Sequence, residues 1–294
     1  MRDVWGIWKV YDRRTRNVEI VQDTERCCKT NEKLAVAIAS SNEKQYIMQE
    51  SDAVKVESEH RFSEPAKVTV SKKRSLEAAG AYKGEKVCVH NFASATNPGG
   101  GVTHGSSAQE EAICRCSTLY FNISEPDIVK GFHNRHRQLL KADKMDAKYN
   151  DDCIYTPGVV VFKSDTDSPE LLDETDWYQV DVITCAAPNL REMPSNPMNP
   201  DSGKKSVRMK DEDLKVLHEK RMRHILDIAK KEKEDVVILG AFGCGAFSNS
   251  PYVVSEAMAA VIQDYLYDFR VIEFAVYCTP RDMKNYEVFS RRLK

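Results

Sequence analysis

Residues 91–111 read NFASATNPGGGVTHGSSAQEE, and this segment is the most informative part of the chain. An apolar run at 86–90 (KVCVH) precedes it and predicts a β-strand. Three consecutive glycines (99–101) follow, and the segment ends in Glu110 and Glu111 at the start of a predicted helix. A strand, a loop of bare backbone and a helix start together bring main-chain N–H groups to a place where they can bind phosphate.

Three glycines in a row allow the backbone to approach a ligand without a clash from Cβ. A flexible turn after Asn97-Pro98 would explain any one of them, but three between a strand and a helix favour a ligand site. The loop lacks the Gly-Lys-Ser/Thr of a P-loop, and its glycines do not open the helix directly as in dinucleotide-binding proteins. Asn91 and Asn97 flank it, and either bonds ligand hydroxyls or satisfies the backbone of the turn.

The two glutamates allow different interpretations. Ser107 and Glu110 fit a capping box, in which Glu110 bonds back to the N-cap, and a catalytic role for Glu110 is the alternative. The capping box does not account for Glu111. The helix dipole favours the ionised form of Glu111, whereas a general acid needs a raised pKa, which burial or a neighbouring carboxylate can supply.

Strand-like and helix-like segments alternate along the chain. The predicted strands are 67–70, 87–92, 154–162, 180–187, 236–242 and 271–277, and the predicted helices are 75–82, 108–120, 211–232 and 251–267. A weak helical pattern covers 34–48, a hairpin or paired strand is predicted around Pro157-Gly158, and 189–208 predicts a surface loop. This alternation indicates an α/β fold, with a mainly parallel sheet covered by helices on both faces.

A second glycine loop, residues 243–249 (GCGAFSN), follows another predicted strand, so both loops should lie on one edge of the sheet. Its amides can surround a diphosphate, and Phe247 can stack on a base or a ribose. The alternative is a plain turn with Phe247 in the core, which the presence of the first loop disfavours. Cys244 has no histidine at a recognisable spacing and is interpreted as a small residue that fits the turn.

Composition excludes several classes of function. The 43 basic and 45 acidic residues give a net charge of -2, so no global basic field attracts nucleic acid. No apolar run approaches the length of a membrane span, and the first residues lack a signal-peptide core. Nine cysteines without zinc-ligand spacing predict a cytoplasmic protein with buried free thiols, no structural metal and no cofactor. Four histidines on polar helical stretches are predicted to be solvated: His133, His136, His218 and His224.

The glycines, the seven residues after them and Gln109-Glu110-Glu111 together resemble the defining pattern of poly(ADP-ribose) glycohydrolases. Three segments resemble the bacterial-type branch of that family: NFASATNP at 91–98, TCAAPN at 184–189 and GAFGCGAF at 240–247. The resemblance extends from about residue 65 to the end of the chain. It implies a macrodomain-like α/β/α sandwich with a mixed sheet at 61–294, on which residues 1–60 pack as a helical extension.

The resemblance also implies a site for ADP-ribose. Glu111 would protonate the leaving oxygen of a ribose–ribose bond and then activate water, while Glu110 would hold the neighbouring ribose hydroxyls. The residues expected to contact ADP-ribose are Asn97, Gly99, Gly100, Gly101, Val102, Gln109, Gly243, Cys244, Gly245, Ala246 and Phe247. Among them, the two glycine loops would grip the diphosphate from opposite sides, Phe247 would pack on the adenosine end and Asn97 would contact the terminal ribose.

The expected partners are ADP-ribose, poly(ADP-ribose) and ADP-ribosylated proteins, with no membrane, no sequence-specific nucleic acid and a monomeric chain. Two alternatives stay open at this point. One is a macrodomain that binds ADP-ribose without cleaving it, for which Glu111 would have no use. The other is a hydrolase of single ADP-ribose groups, because the same cleft would accept either substrate.

Overall fold

A computed structural model describes residues 4–56 and 59–293, with side chains from residue 13 onward. In this part of the chain, seven strands form one sheet. The strands are β1 (Tyr46–Met48), β2 (Lys67–Ser71), β3 (Val87–Phe92), β4 (Cys153–Val161), β5 (Tyr178–Cys185), β6 (Val236–Leu239) and β7 (Val271–Ala275). Their order is β1-β4-β5-β3-β6-β7-β2. The neighbours from β5 to β2 are parallel, and β4 is antiparallel to both β1 and β5.

Helices connect most of the parallel strands. They are α1 (Val4–Thr30), α2 (Glu32–Lys44), α3 (Ser75–Ala79), α4 (Gln109–Cys116), α5 (Leu119–Ile123), α6 (Pro126–Ile128), α7 (Arg135–Lys141), α8 (Asp211–Lys231), α9 (Pro251–Val261) and α10 (Lys284–Arg292). A π-helical turn, Val129–Asn134, joins α6 to α7. The single helix predicted for 108–120 is therefore divided between α4 and α5.

Alternate residues of the central strands enter two different hydrophobic cores. Val87 and Val89 of β3 pack in one core with residues of α3 and α4, whereas Cys88 packs in the other with residues of α8 and α9. The strand β6 divides in the same way. Because successive side chains of a strand point to opposite faces, both faces of the sheet are covered by helices. The predicted α/β class, with three layers and a mixed, mainly parallel sheet, is confirmed.

Three other local predictions also differ from the structure. The helical pattern at 34–48 ends at Lys44, and Tyr46–Met48 instead forms the edge strand β1 against β4. The strand β4 is continuous, with a register shift where Pro157-Gly158 forms a bulge, so the hairpin alternative is wrong. The 189–208 segment contains neither helix nor strand, but Asn189 and Ser202 are fully buried, so it is only partly a surface loop.

The helix α1 is attached to the core through the buried Lys163, whose Nζ donates to Asp23 Oδ2 at 2.7 Å and to Thr24 Oγ1 at 2.9 Å. Earlier in the same helix, Asn17 Nδ2 donates to the main-chain oxygen of Gly105 at 3.0 Å. The predicted extension therefore reaches the loop that follows the glycines.

The division of the chain at residue 60 stays a prediction. Within the predicted extension, residues 1–3, 57 and 58 lie outside the described residues. Among the helices that are described, none combines the length and the apolar character needed to cross a bilayer.

Candidate active site

The two glycine loops lie side by side. The strands β5, β3 and β6 are parallel neighbours, so their carboxyl ends lie at one edge of the sheet. The first loop follows β3 and the second follows β6. The structure therefore brings the two predicted loops together at one rim.

Glu110 and Glu111 are both buried at this rim, with exposed fractions of 3% and 7%. Glu110 Oε2 accepts a hydrogen bond from the main-chain N–H of Ser94 at 2.7 Å. Glu111 Oε1 accepts one from the N–H of Gly101 at 2.9 Å. The second oxygen of Glu111, Oε2, is buried and has no partner within the described residues. One oxygen of Glu111 is thus fixed, and the other has no hydrogen-bond partner among the described residues.

The capping-box interpretation of Glu110 is wrong. Helix α4 begins at Gln109 with Ala108 as its N-cap, and no side chain caps it, Ser107 included. The Glu110 side chain extends instead to the end of β3, where the Ser94 amide binds it and Asn91 Nδ2 lies at 3.5 Å. The main-chain N–H of Ser94, 16 residues away in the sequence, binds Glu110 in place of the N-cap that the capping box predicted.

Gln109 also bonds within the protein. Its Nε2 donates to the main-chain oxygen of His90 at 2.8 Å and to Ser75 Oγ at 3.0 Å, and its Oε1 accepts from the N–H of Phe92 at 2.8 Å. These bonds join the start of α4 to the end of β3. The side-chain amide of Gln109 is therefore engaged within the protein, and its expected contact with ADP-ribose stays a prediction.

Gly100 passes directly over the two carboxylates. Its φ is +58°, and a Cβ at this position would lie 2.6 Å from Glu111 Oε1 and 3.1 Å from Glu110 Oε2. Side chains rarely adopt such a φ, and no side chain fits the space, so the position requires glycine.

The amides of the first loop are occupied by the protein. Gly100 N–H donates to the main-chain oxygen of Asn97 at 2.9 Å, and Gly101 N–H donates to Glu111. Val102 N–H donates to the oxygen of Gly99 at 3.1 Å, and the Val102 side chain is buried in the core. Gly101 thus holds the Glu111 carboxyl, and the expected contact of this loop with a diphosphate stays a prediction.

The second loop has the free donors. Within the described residues, the N–H groups of Gly245, Ala246 and Phe247 donate to no protein acceptor. Gly245 is exposed, and a Cβ there would meet nothing within 4 Å. Consecutive free amides of this kind bind anions. Phe247 is half-buried and packs against Tyr149, with ring centroids 6.4 Å apart.

Cys244 sits in this loop as a half-buried thiol with burial raising its pKa, which agrees with its interpretation as a small turn residue and not a nucleophile. Within the described ranges, no group of three or more His, Cys, Asp or Glu side chains could hold a metal ion.

Asn249 holds the second loop in shape, and the sequence analysis missed it. Its Nδ2 lies within hydrogen-bond distance of three main-chain oxygens, those of Pro188 (2.7 Å), Gly243 (3.1 Å) and Phe247 (3.1 Å). His218 Nε2 lies 2.9 Å from Asn249 Oδ1. Because the amide oxygen can only accept, His218 donates from Nε2. An Asn in a glycine-rich turn was the only signal for this role.

The prediction that the histidines are solvated is wrong for three of the four. His133, His136 and His218 are each at most 1% exposed, and His224 is half-buried. Burial lowers the pKa of His133 to about 3 and that of His218 to about 4, so both are neutral near pH 7. They support the site: His133 Nδ1 lies 3.3 Å from the oxygen of Ala95, in the segment that precedes the glycines.

Asn97 lies in a network that the sequence did not predict. Its Nδ2 donates to Asn199 Oδ1 at 2.7 Å and to the oxygen of Pro200 at 3.0 Å, and its Oδ1 accepts from Arg137 Nη2 at 2.9 Å. Asn199 also accepts from Ser94 Oγ at 2.6 Å. The segment 196–200 therefore supports the loop whose amide binds Glu110.

Burial raises the pKa of both glutamates. For Glu110 the negative charge of Glu111 adds to the effect of burial, and the Ser94 amide opposes it. For Glu111 the Gly101 amide and the charge of Arg115 oppose burial without cancelling it. Removal of a carboxylate from water favours its protonated form, so the pKa of each side chain is shifted in the direction that a general acid requires.

These shifts predict that Glu110→Gln makes the protein more stable at alkaline pH. A carboxyl with a raised pKa contributes fully to folding below the pKa of an unfolded glutamate, near 4.5, and this contribution is lost as pH rises through the raised value. Glutamine has no such loss. We expect a melting temperature roughly 2–5 °C above wild type at pH 8, and little difference at pH 4.5. Differential scanning fluorimetry tests this, with Glu212→Gln as control because Glu212 is exposed in the first turn of α8. Equal melting temperatures for wild type and Glu110→Gln at pH 8 would contradict a raised pKa for Glu110.

Together, two buried carboxyls and a set of free amides form a site for acid–base chemistry next to an anionic group. The comparisons with known proteins agree with this chemistry. The family described as "Microbial-type PARG, catalytic domain" matches residues 12–164, slightly more than half of the chain. No curated protein matches the chain.

Solved structures extend the similarity to nearly the whole chain. The poly(ADP-ribose) glycohydrolase (PARG) from Thermomonospora curvata is 27% identical, with a TM-score of 0.78 over 96% of this chain and 99% of that chain. The same enzyme bound to the inhibitor ADP-HPD is 28% identical, with a TM-score of 0.76 and the same coverage. The PARG from Deinococcus radiodurans in complex with ADP-ribose is 27% identical, with a TM-score of 0.71 over 87% of this chain and 97% of that chain.

The chain belongs to the family of microbial-type PARG catalytic domains. The predicted family, the macrodomain-like fold and the enzyme class, a poly(ADP-ribose) glycohydrolase, are thereby confirmed. The roles of individual residues stay predictions.

Proposed function

We propose that Glu111 is the general acid and base with which this enzyme hydrolyses the ribose–ribose O-glycosidic bonds of poly(ADP-ribose). Protonated Glu111 gives its proton to the departing ribose oxygen as the glycosidic bond breaks and the sugar acquires oxocarbenium character. The carboxylate formed then takes a proton from the attacking water. The products are free ADP-ribose and a polymer shorter by one unit.

One observation carries this proposal: Glu111 is held by one oxygen while the other has no protein partner. The bond from Gly101 N–H fixes the orientation of the carboxyl, and burial raises its pKa. The unpartnered Oε2 is buried at the rim where ligands of such sheets bind. A group that transfers a proton to a substrate needs these properties together.

The second glycine loop is the proposed diphosphate site. Its three free amides support this role, and Asn249 fixes their arrangement. Phe247 then packs on the adenosine end, and Glu110 holds the ribose hydroxyls next to the scissile bond. Asn97, whose side chain is engaged by the protein, is proposed to shape the ribose pocket through Asn199 and Arg137.

Incubation of the purified protein with labelled poly(ADP-ribose) tests the proposed reaction. We expect release of ADP-ribose, and no release from folded protein that still binds ADP-ribose would support a reader of ADP-ribose instead. A protein carrying a single ADP-ribose group, assayed in parallel, tests the mono-ADP-ribosyl hydrolase alternative. Faster cleavage of that substrate than of polymer would contradict the proposal.

The variant Gly245→Ala tests the diphosphate site. A methyl group at this position meets no protein atom within 4 Å, so the melting temperature should stay unchanged. The methyl group would occupy the space in which the diphosphate approaches the amides, and we expect the Kd for ADP-ribose, measured by calorimetry, to rise at least about tenfold. Unchanged affinity would place the diphosphate elsewhere.

We further infer that the enzyme acts as a monomer in the cytoplasm on ADP-ribosylated proteins. The cysteines support a cytoplasmic location, because all nine lie within the described residues and are free thiols.

A further inference from the structure

The surface beside the first glycine loop has a local excess of positive charge. Residues 130–148 and 189–210 contain eleven Lys and Arg against four Asp and Glu, although the whole chain has a net charge of -2. The two segments are in contact, because Lys204 Nζ donates to the main-chain oxygen of Lys141 at 3.2 Å. Together these two segments form what we call the basic surface.

The basic surface is connected to the first glycine loop through Asn97. From one side, Asn97 accepts a hydrogen bond from Arg137, in the first of the two segments. From the other side, it donates to Asn199 and to the main-chain oxygen of Pro200, in the second segment. Asn97 itself lies two residues before Gly99. Arg137 and the segment 196–200 therefore lie against the start of the loop whose Gly101 amide binds Glu111.

Three of the eleven basic side chains form ion pairs, Arg135 with Asp152, Lys148 with Asp146 and Lys204 with Asp143, but others are not neutralised by the described residues. The Arg137 guanidinium donates to the side chains of Asn97 and Asn134, and in the described part of the chain no carboxylate pairs with it. Lys144, Lys205 and Arg208 are exposed and likewise have no carboxylate at ion-pair distance among the described residues. Such side chains keep their counterions in solution and can exchange them for the phosphates of a polyanion.

We propose that the basic surface binds the remainder of a poly(ADP-ribose) chain, beyond the bond that Glu111 breaks. This inference rests on the proposed function, which places the diphosphate of the released unit on the second glycine loop. The rest of the polymer then leaves the cleft at the Glu111 end, next to Asn97. Each further unit carries an ionised diphosphate, which the basic surface attracts. A protein with one ADP-ribose group offers no such chain, so the surface selects polymer over single modifications.

The test is a triple charge reversal, Lys141→Glu, Lys144→Glu and Lys205→Glu, at three exposed lysines of the basic surface. Two substrates are compared: long poly(ADP-ribose) and a dimer of ADP-ribose units. We expect the ratio of the KM for polymer to the KM for dimer to rise about tenfold at low salt. The dependence of log KM for polymer on log salt concentration should become shallower by about 2, from roughly 0.7 for each contact.

A matched triple variant controls for charge alone. Lys29→Glu, Lys44→Glu and Lys67→Glu reverses three exposed lysines at the ends of α1 and α2 and at the start of β2, away from the carboxyl edge of the sheet. An unchanged KM ratio in the first triple variant, or an equal change in this control, would overturn the proposal. Inhibition by single-stranded RNA of equal charge as strong as that by polymer would also overturn it, because the surface would then be a general polyanion site.

Binding of labelled polymer to Glu111→Gln, measured by fluorescence anisotropy, separates this inference from the proposed function. Failure of the wild type to cleave even the dimer would refute the proposed function. If adding the triple charge reversal to Glu111→Gln weakens polymer binding, the inference is still supported. If polymer affinity is unchanged, the inference is refuted.

Discussion

The variant Glu111→Gln is expected to lower kcat on poly(ADP-ribose) by a factor of about 10²–10⁴, the usual contribution of a positioned general acid and base. Glutamine keeps an oxygen that can accept the hydrogen bond from Gly101 N–H. It has no proton to give to the departing ribose oxygen and no basic group to activate water. The Kd for ADP-ribose, measured by calorimetry, should change only a few-fold because the amides of the second loop are untouched.

The pH dependence of the wild type provides an independent measurement. Because burial raises the pKa of Glu111, the protonated form persists above the pH at which an exposed glutamate ionises. The value of kcat/KM should fall as pH rises through the raised pKa, and this alkaline limb should be absent from the residual activity of Glu111→Gln. The control variant Glu212→Gln makes the same substitution on an exposed helix start and should retain full activity. Substantial cleavage by Glu111→Gln would contradict the proposed role of Glu111 as general acid and base.

The central strands of the sheet could be predicted from the sequence because buried strands have a characteristic apolar pattern. The runs at β3 and β6 are apolar at successive positions since both faces of the sheet are covered, and the helices between them imply parallel strands. The edge strand β1 does not have such a pattern. It has three residues, all half-buried, directly after a helix.

The errors at the site share one physical cause, which is that side-chain partners distant in the sequence decide the outcome. Glu110 fits a capping box locally, yet the amide of Ser94 binds it. His133 lies in a mainly polar stretch of sequence, but tertiary packing buries it beside Ala95. Asn249 and His218, which hold the second loop, are 31 residues apart. Composition and spacing describe local preference, and these contacts depend on where the sheet brings the chain together.

The variant Gly100→Ala is expected to lower kcat about 10²-fold or more while leaving the protein folded. The new methyl carbon would lie 2.6 Å from Glu111 Oε1, well inside van der Waals contact, so the carboxyl or the loop must move. A displacement near 1 Å at a reacting group costs about this factor. The positive φ of +58° adds a conformational cost of about 1–2 kcal/mol to folding. Steady-state kinetics and thermal melting measure the two effects separately.

Gly84→Ala is the matched control for this variant, because it isolates the backbone cost from the crowding. Gly84 has a φ of +94°, so alanine is strained there too, but no atom lies within 4 Å of the added Cβ. Gly84 is exposed in the turn before β3. Both variants should melt at lower temperature than wild type, and only Gly100→Ala should lose activity. Equal activity in the two variants would mean that the glutamates tolerate displacement, which contradicts a site in which Gly100 sets the position of the catalytic carboxyl.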